Sequence, residues 1–118
     1  MTDKEIEKDI QGKGLTAPRI TPDDIKANII SEVYFTALQG AMSDEVVNYG
    51  QINHASLGLL TICVLVLRSG FTVTGESACA SPENFDAEIG RKIARQNAEQ
   101  KIWPLMGYEL KQRLSETA

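Results

Sequence analysis

The chain has 118 residues, 42% of them hydrophobic and 24% charged, with a formal net charge of −4. That length supports one domain around a single core. No apolar run reaches the ~18 residues of a membrane span, and an acidic total argues against a phosphate-binding surface, which carries a clustered basic excess.

The charge is unevenly placed. Residues 1–58 carry five basic and nine acidic groups, whereas residues 59–118 carry seven of each. The opening Met1-Thr2-Asp3-Lys4-Glu5 leads into no apolar stretch, so no secretory signal is expected. Cys63 and Cys79 make no disulfide framework, and a reduced, cytoplasmic compartment is the default.

Residues 1–19 alternate acids with Lys4 and Lys8 and are then broken by Gly12, Gly14 and Pro18. They predict a flexible N-terminal arm with at most one frayed helical turn. A single α+β domain is expected over 20–116. It opens at Thr21-Pro22-Asp23-Asp24: a capping hydroxyl, a proline at the first helical position, and two carboxylates at the positive end of the dipole. Ile25, Ile29, Val33 and Ala37, with Ile30, Tyr34, Leu38 and Ala41 beside them, form an apolar face at helical spacing. The spacing predicts a helix over 22–40 ending at Gly40.

Residues 41–56 have no clear period and fit either a short helix or a strand. Connections of that length often carry function, so Tyr49, Asn53 and His54 are a candidate loop surface. Leu57 to Ser77 then reads as a β-hairpin turning at Ser69-Gly70. A two-residue turn would set Val66 opposite Val73 and Leu65 opposite Thr74. One face would show Val64, Val66, Phe71 and Val73, the other Cys63, Leu65 and Leu67 beside Thr72 and Thr74. The first strand is apolar on both faces. It is therefore central, or a helix covers one face and a partner chain the other. A lone hairpin is marginally stable, so a third strand is expected, from residues 45–52 or from another chain.

Ser81-Pro82 predicts the start of a long helix. Phe85, Ile89, Ile93, Ala94, Ala98, Ile102 and Leu105 would line its apolar face, and Gly90, Ala94 and Ala98 form a row that admits close approach. Pro104 should interrupt it, leaving a short terminal helix around Tyr108 to Leu114. The fold class is α+β: a small antiparallel hairpin or sheet, one N-terminal helix, a long C-terminal helix and a short terminal helix.

Chemistry is sparse. His54 is the only histidine and could serve as a base, with Cys63 or Cys79 as nucleophile, but no nucleophile motif accompanies them. Cys63 lies mid-strand, where cysteine is usually a small buried apolar residue. No paired spacing supports a metal, and none is expected. Gly70-Phe71-Thr72-Val73-Thr74-Gly75 lacks the Lys-Ser/Thr ending of a phosphate loop. No cofactor and no catalytic residue is expected. Thr74, Ser77, Cys79 and Ser81, with Arg91 and Arg95, could bind a small anion where the hairpin hands over to the helix. The plainer reading is that Ser81 caps and Cys79 fills a gap. Arg91, Lys92, Arg95 and Lys101 form a basic patch, but Asp86, Glu88 and Glu99 lie within pairing distance, so nucleic acid is disfavoured as a partner. Phe71, Trp103 and Tyr108 read as core aromatics, with interface anchors as the alternative.

Five segments carry a resemblance: Ala17-Pro-Arg-Ile-Thr-Pro22, Gly70 to Cys79, Asn84-Phe-Asp86, Gly90-Arg-Lys-Ile-Ala94 and Ile102-Trp-Pro-Leu-Met-Gly-Tyr108. Across roughly residues 15–114 the chain resembles a family of small tailed-bacteriophage proteins, named for gene product 49 of phage N4 and gene product 66 of phage Sf6. The resemblance implies a phage or prophage origin and expression in the bacterial host cytoplasm. It implies no activity, cofactor or site residue. The expected function is a non-enzymatic phage accessory protein that binds a host or phage macromolecule as a homo-oligomer, away from membranes. The alternatives are binding of a small anionic ligand such as a nucleotide, and nucleic-acid binding.

Overall fold

The protein is described by a computed structural model over residues 2–117. In chain order it forms α1 (Asp3–Gly12), α2 (Pro22–Asn28), β1 (Ile29–Thr36), α3 (Ala37–Ala41), α4 (His54–Leu57), β2 (Leu60–Leu67), β3 (Thr72–Ala78), a 3₁₀ turn (Pro82–Asn84) and α5 (Ala87–Glu116). The strands make one antiparallel sheet in the order β1-β2-β3, and α5 lies across one face. The α+β class holds, with several differences of detail.

The segment before residue 20 contains a ten-residue helix, longer than the single expected turn. Thr2 and Glu5 close a capping box at its start, and Arg19 grips Glu7 with two hydrogen bonds of 2.5 and 2.7 Å. No residue of α1 is buried.

The Thr21 cap is as expected: its hydroxyl accepts from the Asp24 amide at 3.1 Å while the Asp24 carboxylate accepts from the Thr21 amide at 2.9 Å. The helix it starts does not run to Gly40. It stops at Asn28, and residues 29–36 are the third strand of the sheet. The expectation of that strand at 45–52 is therefore corrected, since β1 fills the position beside β2. Ile29, Ile30, Val33, Tyr34, Phe35 and Thr36 all favour a pleated backbone over a helix, and pairing with β2 outweighs their helical spacing. Residues 42–53 hold no helix or strand, and α4 follows them as a single turn capped by Asn53.

The hairpin forms with a different register. The Gly70 amide donates to the Leu67 carbonyl at 2.8 Å and the Leu67 amide to the Phe71 carbonyl at 2.9 Å. This is a three-residue connection closed by Gly70 at φ 90°, where a side chain would strain the backbone. Leu65 thus faces Val73, and Cys63 faces Gly75. The one-residue slip turns β3 over: Val73 and Gly75 point to the core, and Thr72 and Thr74 point away.

The core sits between sheet and α5: Ile25, Cys63, Leu65, Leu67, Val73, Ala94, Ala98 and Ile102. The small-residue row of α5 is its buried stripe. A β carbon on Gly75 would lie 2.1 Å from the Ala94 carbonyl oxygen and 2.3 Å from the Ala98 nitrogen, so helix and strand backbones meet there. Ile89 and Ile93 are not in the core but 56% and 42% exposed. Asp86, not Ser81, caps α5, accepting from the Ile89 amide at 3.0 Å. The helix continues through Pro104 to Glu116, so the separate terminal helix does not exist. Trp103 packs against the core edge, but Phe71 and Tyr108 are largely exposed.

The chain is extended. Its radius of gyration is 18.2 Å, against about 13.5 Å for a compact chain of this length. It exposes 8514 Å², about 2,200 Å² more than a compact monomer of this mass.

Candidate functional site: the outer face of the sheet

Strand β2 is central, and its residues alternate between buried and half-buried. Thr61, Cys63, Leu65 and Leu67 turn toward α5 and are buried. Ile62, Val64 and Val66 turn outward, a consequence of the two-residue period of a strand. The pairings put Phe35, Val33 and Ser31 of β1 beside them on one side and Glu76, Thr74 and Thr72 of β3 on the other. The result is an apolar outer surface with hydroxyl margins and one carboxylate, Glu76, at a corner. Val33 is 48% exposed there. At one end Phe35 reaches α3, 4.0 Å from where a Gly40 β carbon would stand. Elsewhere no helix or strand among the described residues packs over this face. The two-sided apolar character of β2 thus has α5 on one side and a half-buried outer face on the other.

The polar residues singled out in the sequence do not converge. Thr74 is on the outer face opposite Val64. Ser77 and Cys79 line a hollow of about 280 Å³ beside the start of α5, together with Leu59, Phe85, Asp86 and Ile89. Cys79 donates its thiol to the Ser81 carbonyl at 3.2 Å, and Ser81 makes no side-chain cap. Arg91 and Arg95 are on the β1 flank of α5: Arg91 lines a hollow with Tyr34, Thr36, Gln39 and Thr61, and Arg95 meets Glu32. In the loop, Tyr49 is 92% exposed, Asn53 spends its side chain capping α4, and His54 sets Nδ1 3.2 Å from the Ile52 carbonyl. Cys63 lies in the core, where burial pushes its thiol up, away from the nucleophilic form. Among the described residues no cluster of His, Cys, Asp and Glu could hold a metal ion, and no helix is long and apolar enough to cross a membrane.

Residues 20–114 match the family model described as Phage protein (N4 Gp49/phage Sf6 gene 66) family. The chain belongs to this family. The match runs from the residue before the Thr21 cap almost to the end of α5, so it covers the whole sheet and its helix. No curated protein and no solved structure matches it.

The family segment also contains a polar cluster that the sequence did not reveal. Arg95 reaches across from α5 to Glu32 and, at 3.5 Å, to the Tyr34 hydroxyl on β1, while its Nε donates to Glu99 at 2.7 Å. Glu32 and Tyr34 sit on the inner face of β1, opposite Leu65 and Cys63. This pins the edge strand to the helix with charge-assisted bonds. The same cluster, with Lys92 beside Glu88 at 3.3 Å, neutralises much of the basic patch.

Hydrogen bonding from Arg95 holds the Glu32 carboxyl below the usual range. A carboxyl depressed in the folded state stabilises the fold above its unfolded pKa, and that contribution is lost as pH falls through the folded value. Wild-type protein should therefore lose thermal stability on acidification through and below the ordinary carboxylate range. Arg95→Met should lower stability at neutral pH and flatten that acid limb, as read from Tm between neutral pH and pH ~3. Parallel pH profiles for the two proteins would show that the contact carries no such energy.

Proposed function

We propose that this family member is a non-enzymatic phage accessory protein that acts by binding a host or phage macromolecule, and that it works as a small homo-oligomer in the host cytoplasm. The observation that supports the reading is the outer sheet face, apolar, nearly uncharged and half-buried along β2, in a chain that exposes more surface than a compact monomer of its mass. Apolar surface rimmed by polar residues is a common mark of protein interaction sites. The dispersed polar residues add support, since a catalytic site needs nucleophile, base and orienting group within hydrogen-bond reach.

A second reading has one observation in its favour. Arg91 makes no ion pair among the described residues and stands at a hollow of about 230 Å³ with hydroxyl and amide groups, which suits a small anionic ligand. A thermal-shift screen with nucleotides tests it, and a rise in Tm that Arg91→Ala removes would favour it over the first reading.

The binding reading is tested by genetics in the phage that carries the gene. His54→Ala and Cys79→Ala should behave as wild type, while Val64→Asp should reproduce the deletion. Loss of function in either alanine variant, with Val64→Asp silent, would overturn it.

A further inference from the structure

We propose that α1 is a latch: it docks reversibly over Trp103, held by the Glu7–Arg19 pair, and opens while the sheet and α5 stay folded.

A ten-residue helix is not stable alone in water, so α1 is helical only while the rest of the chain supports it. Support comes along one face. Ile6 and Ile10, one turn apart, lie against Ile20, Pro22 and half-buried Trp103. The seating is loose. No residue of α1 is buried, and Ile6 is still 42% exposed. Hollows of about 220 and 390 Å³ remain where α1 meets α5 and α2. Docking therefore removes little apolar area from water, and what it gains is set against the entropy of ordering the helix. An element balanced in this way opens at a much lower free energy than the core.

The polar ties are few. Arg19 closes both terminal nitrogens on the Glu7 carboxylate, and Gln100 reaches Asp3 at 3.5 Å. Among the described residues no other side-chain hydrogen bond joins α1 to the chain beyond it. The forked arginine–carboxylate contact is directional, so it sets where α1 lands as well as holding it there. The hinge is local: residues 13–20 hold no helix or strand, and Gly14 turns the chain at φ 65°.

The family match also divides latch from groove. Ile20, Pro22 and Trp103 lie within residues 20–114, and α1 lies wholly before them. Opening uncovers these three apolar side chains together, so any partner for that surface competes with α1.

The test is hydrogen–deuterium exchange of the full chain, with acrylamide quenching of Trp103, the only tryptophan. Amides of α1 should exchange at least roughly a hundredfold faster than those of β2, yet slower than in the urea-unfolded chain. Arg19→Ala should speed α1 exchange roughly fivefold and raise Trp103 quenching, with β2 exchange and the melting temperature unchanged. If Arg19→Ala lowers the melting temperature, Glu7→Ala, which alters α1 alone, decides by the same readouts. Exchange in α1 as slow as in β2 would make it part of the cooperative core, and exchange at the unfolded rate would mean that it does not dock. Either result overturns the latch. So does a deciding variant whose α1 exchange and Trp103 quenching match wild type.

Discussion

Gly75→Ala is expected to prevent stable folding. The added methyl would stand 2.1 Å from the Ala94 carbonyl oxygen and 2.3 Å from the Ala98 nitrogen. Both are backbone atoms of α5, so no rotamer change relieves the clash. The helix must lift off the sheet, loosening Ala94, Ala98 and Ile102 together. Overpacking against rigid backbone costs about 3 kcal/mol or more, a large part of the roughly 5–15 kcal/mol that holds a domain together. The core here is small, so the loss weighs heavily. Gly90→Ala is the control. Its β carbon would lie 2.9 Å from the hydroxyl of buried Thr61, which must shift, but the clash is with a side chain and alanine gains about 1 kcal/mol in a helix over glycine, so the net loss should be smaller than at Gly75. Urea unfolding followed by circular dichroism separates these outcomes. A Gly75→Ala protein within ~1 kcal/mol of wild type would mean that α5 does not press on β3 in this way.

Ile102→Ala should have the second-largest effect. Ile102 is fully buried at the end of the small-residue stripe and is among the largest buried side chains. Truncating it leaves a cavity at the seam between sheet and helix, at a cost of about 2–5 kcal/mol. The same change at Ile89, which is 56% exposed, should cost under ~1 kcal/mol. Both are isoleucines on one helix, so the contrast isolates burial. Equal losses at the two positions would contradict the assignment of the buried stripe to Gly90, Ala94, Ala98 and Ile102.

Much of this fold is legible in the residues. The Thr21-Pro22 start, the strands β2 and β3, the long C-terminal helix and the close approach at the small-residue row all follow from local chemistry that agrees with tertiary packing. The register failed on one residue of turn length. Ser69-Gly70 suits a two-residue turn, but Arg68 joins the loop and Gly70 supplies the left-handed position of a three-residue connection. Strand β1 was hidden for a deeper reason. Its inner face carries Glu32 and Tyr34, satisfied by Arg95 from α5, and its outer face carries Val33 and Phe35. The usual rule of apolar inside and polar outside is reversed locally, so alternation gave no signal and the i+4 spacing read as helix. Six β-favouring residues in eight were the available clue. The long helix over Pro104 shows the opposite case, in which a local breaker is overridden by a helix already anchored at Ile102.

The candidate site was legible only as a question. A strand apolar on both faces says that both faces want cover, and the structure shows α5 on one of them. The polar candidates at the hairpin-to-helix joint were adjacent in sequence but are divided by the sheet, with Thr74 outward, Ser77 beside α5, and Arg95 bound to the far strand. Sequence proximity there did not make a cluster because successive strand residues point to opposite faces.

Central to the proposed function is that this chain works as a small homo-oligomer. Sedimentation equilibrium of the unmodified protein at micromolar concentration tests it most directly. The proposed function predicts at least twice the 12.9 kDa chain mass, and a species that stays at the single-chain mass across that range would contradict it.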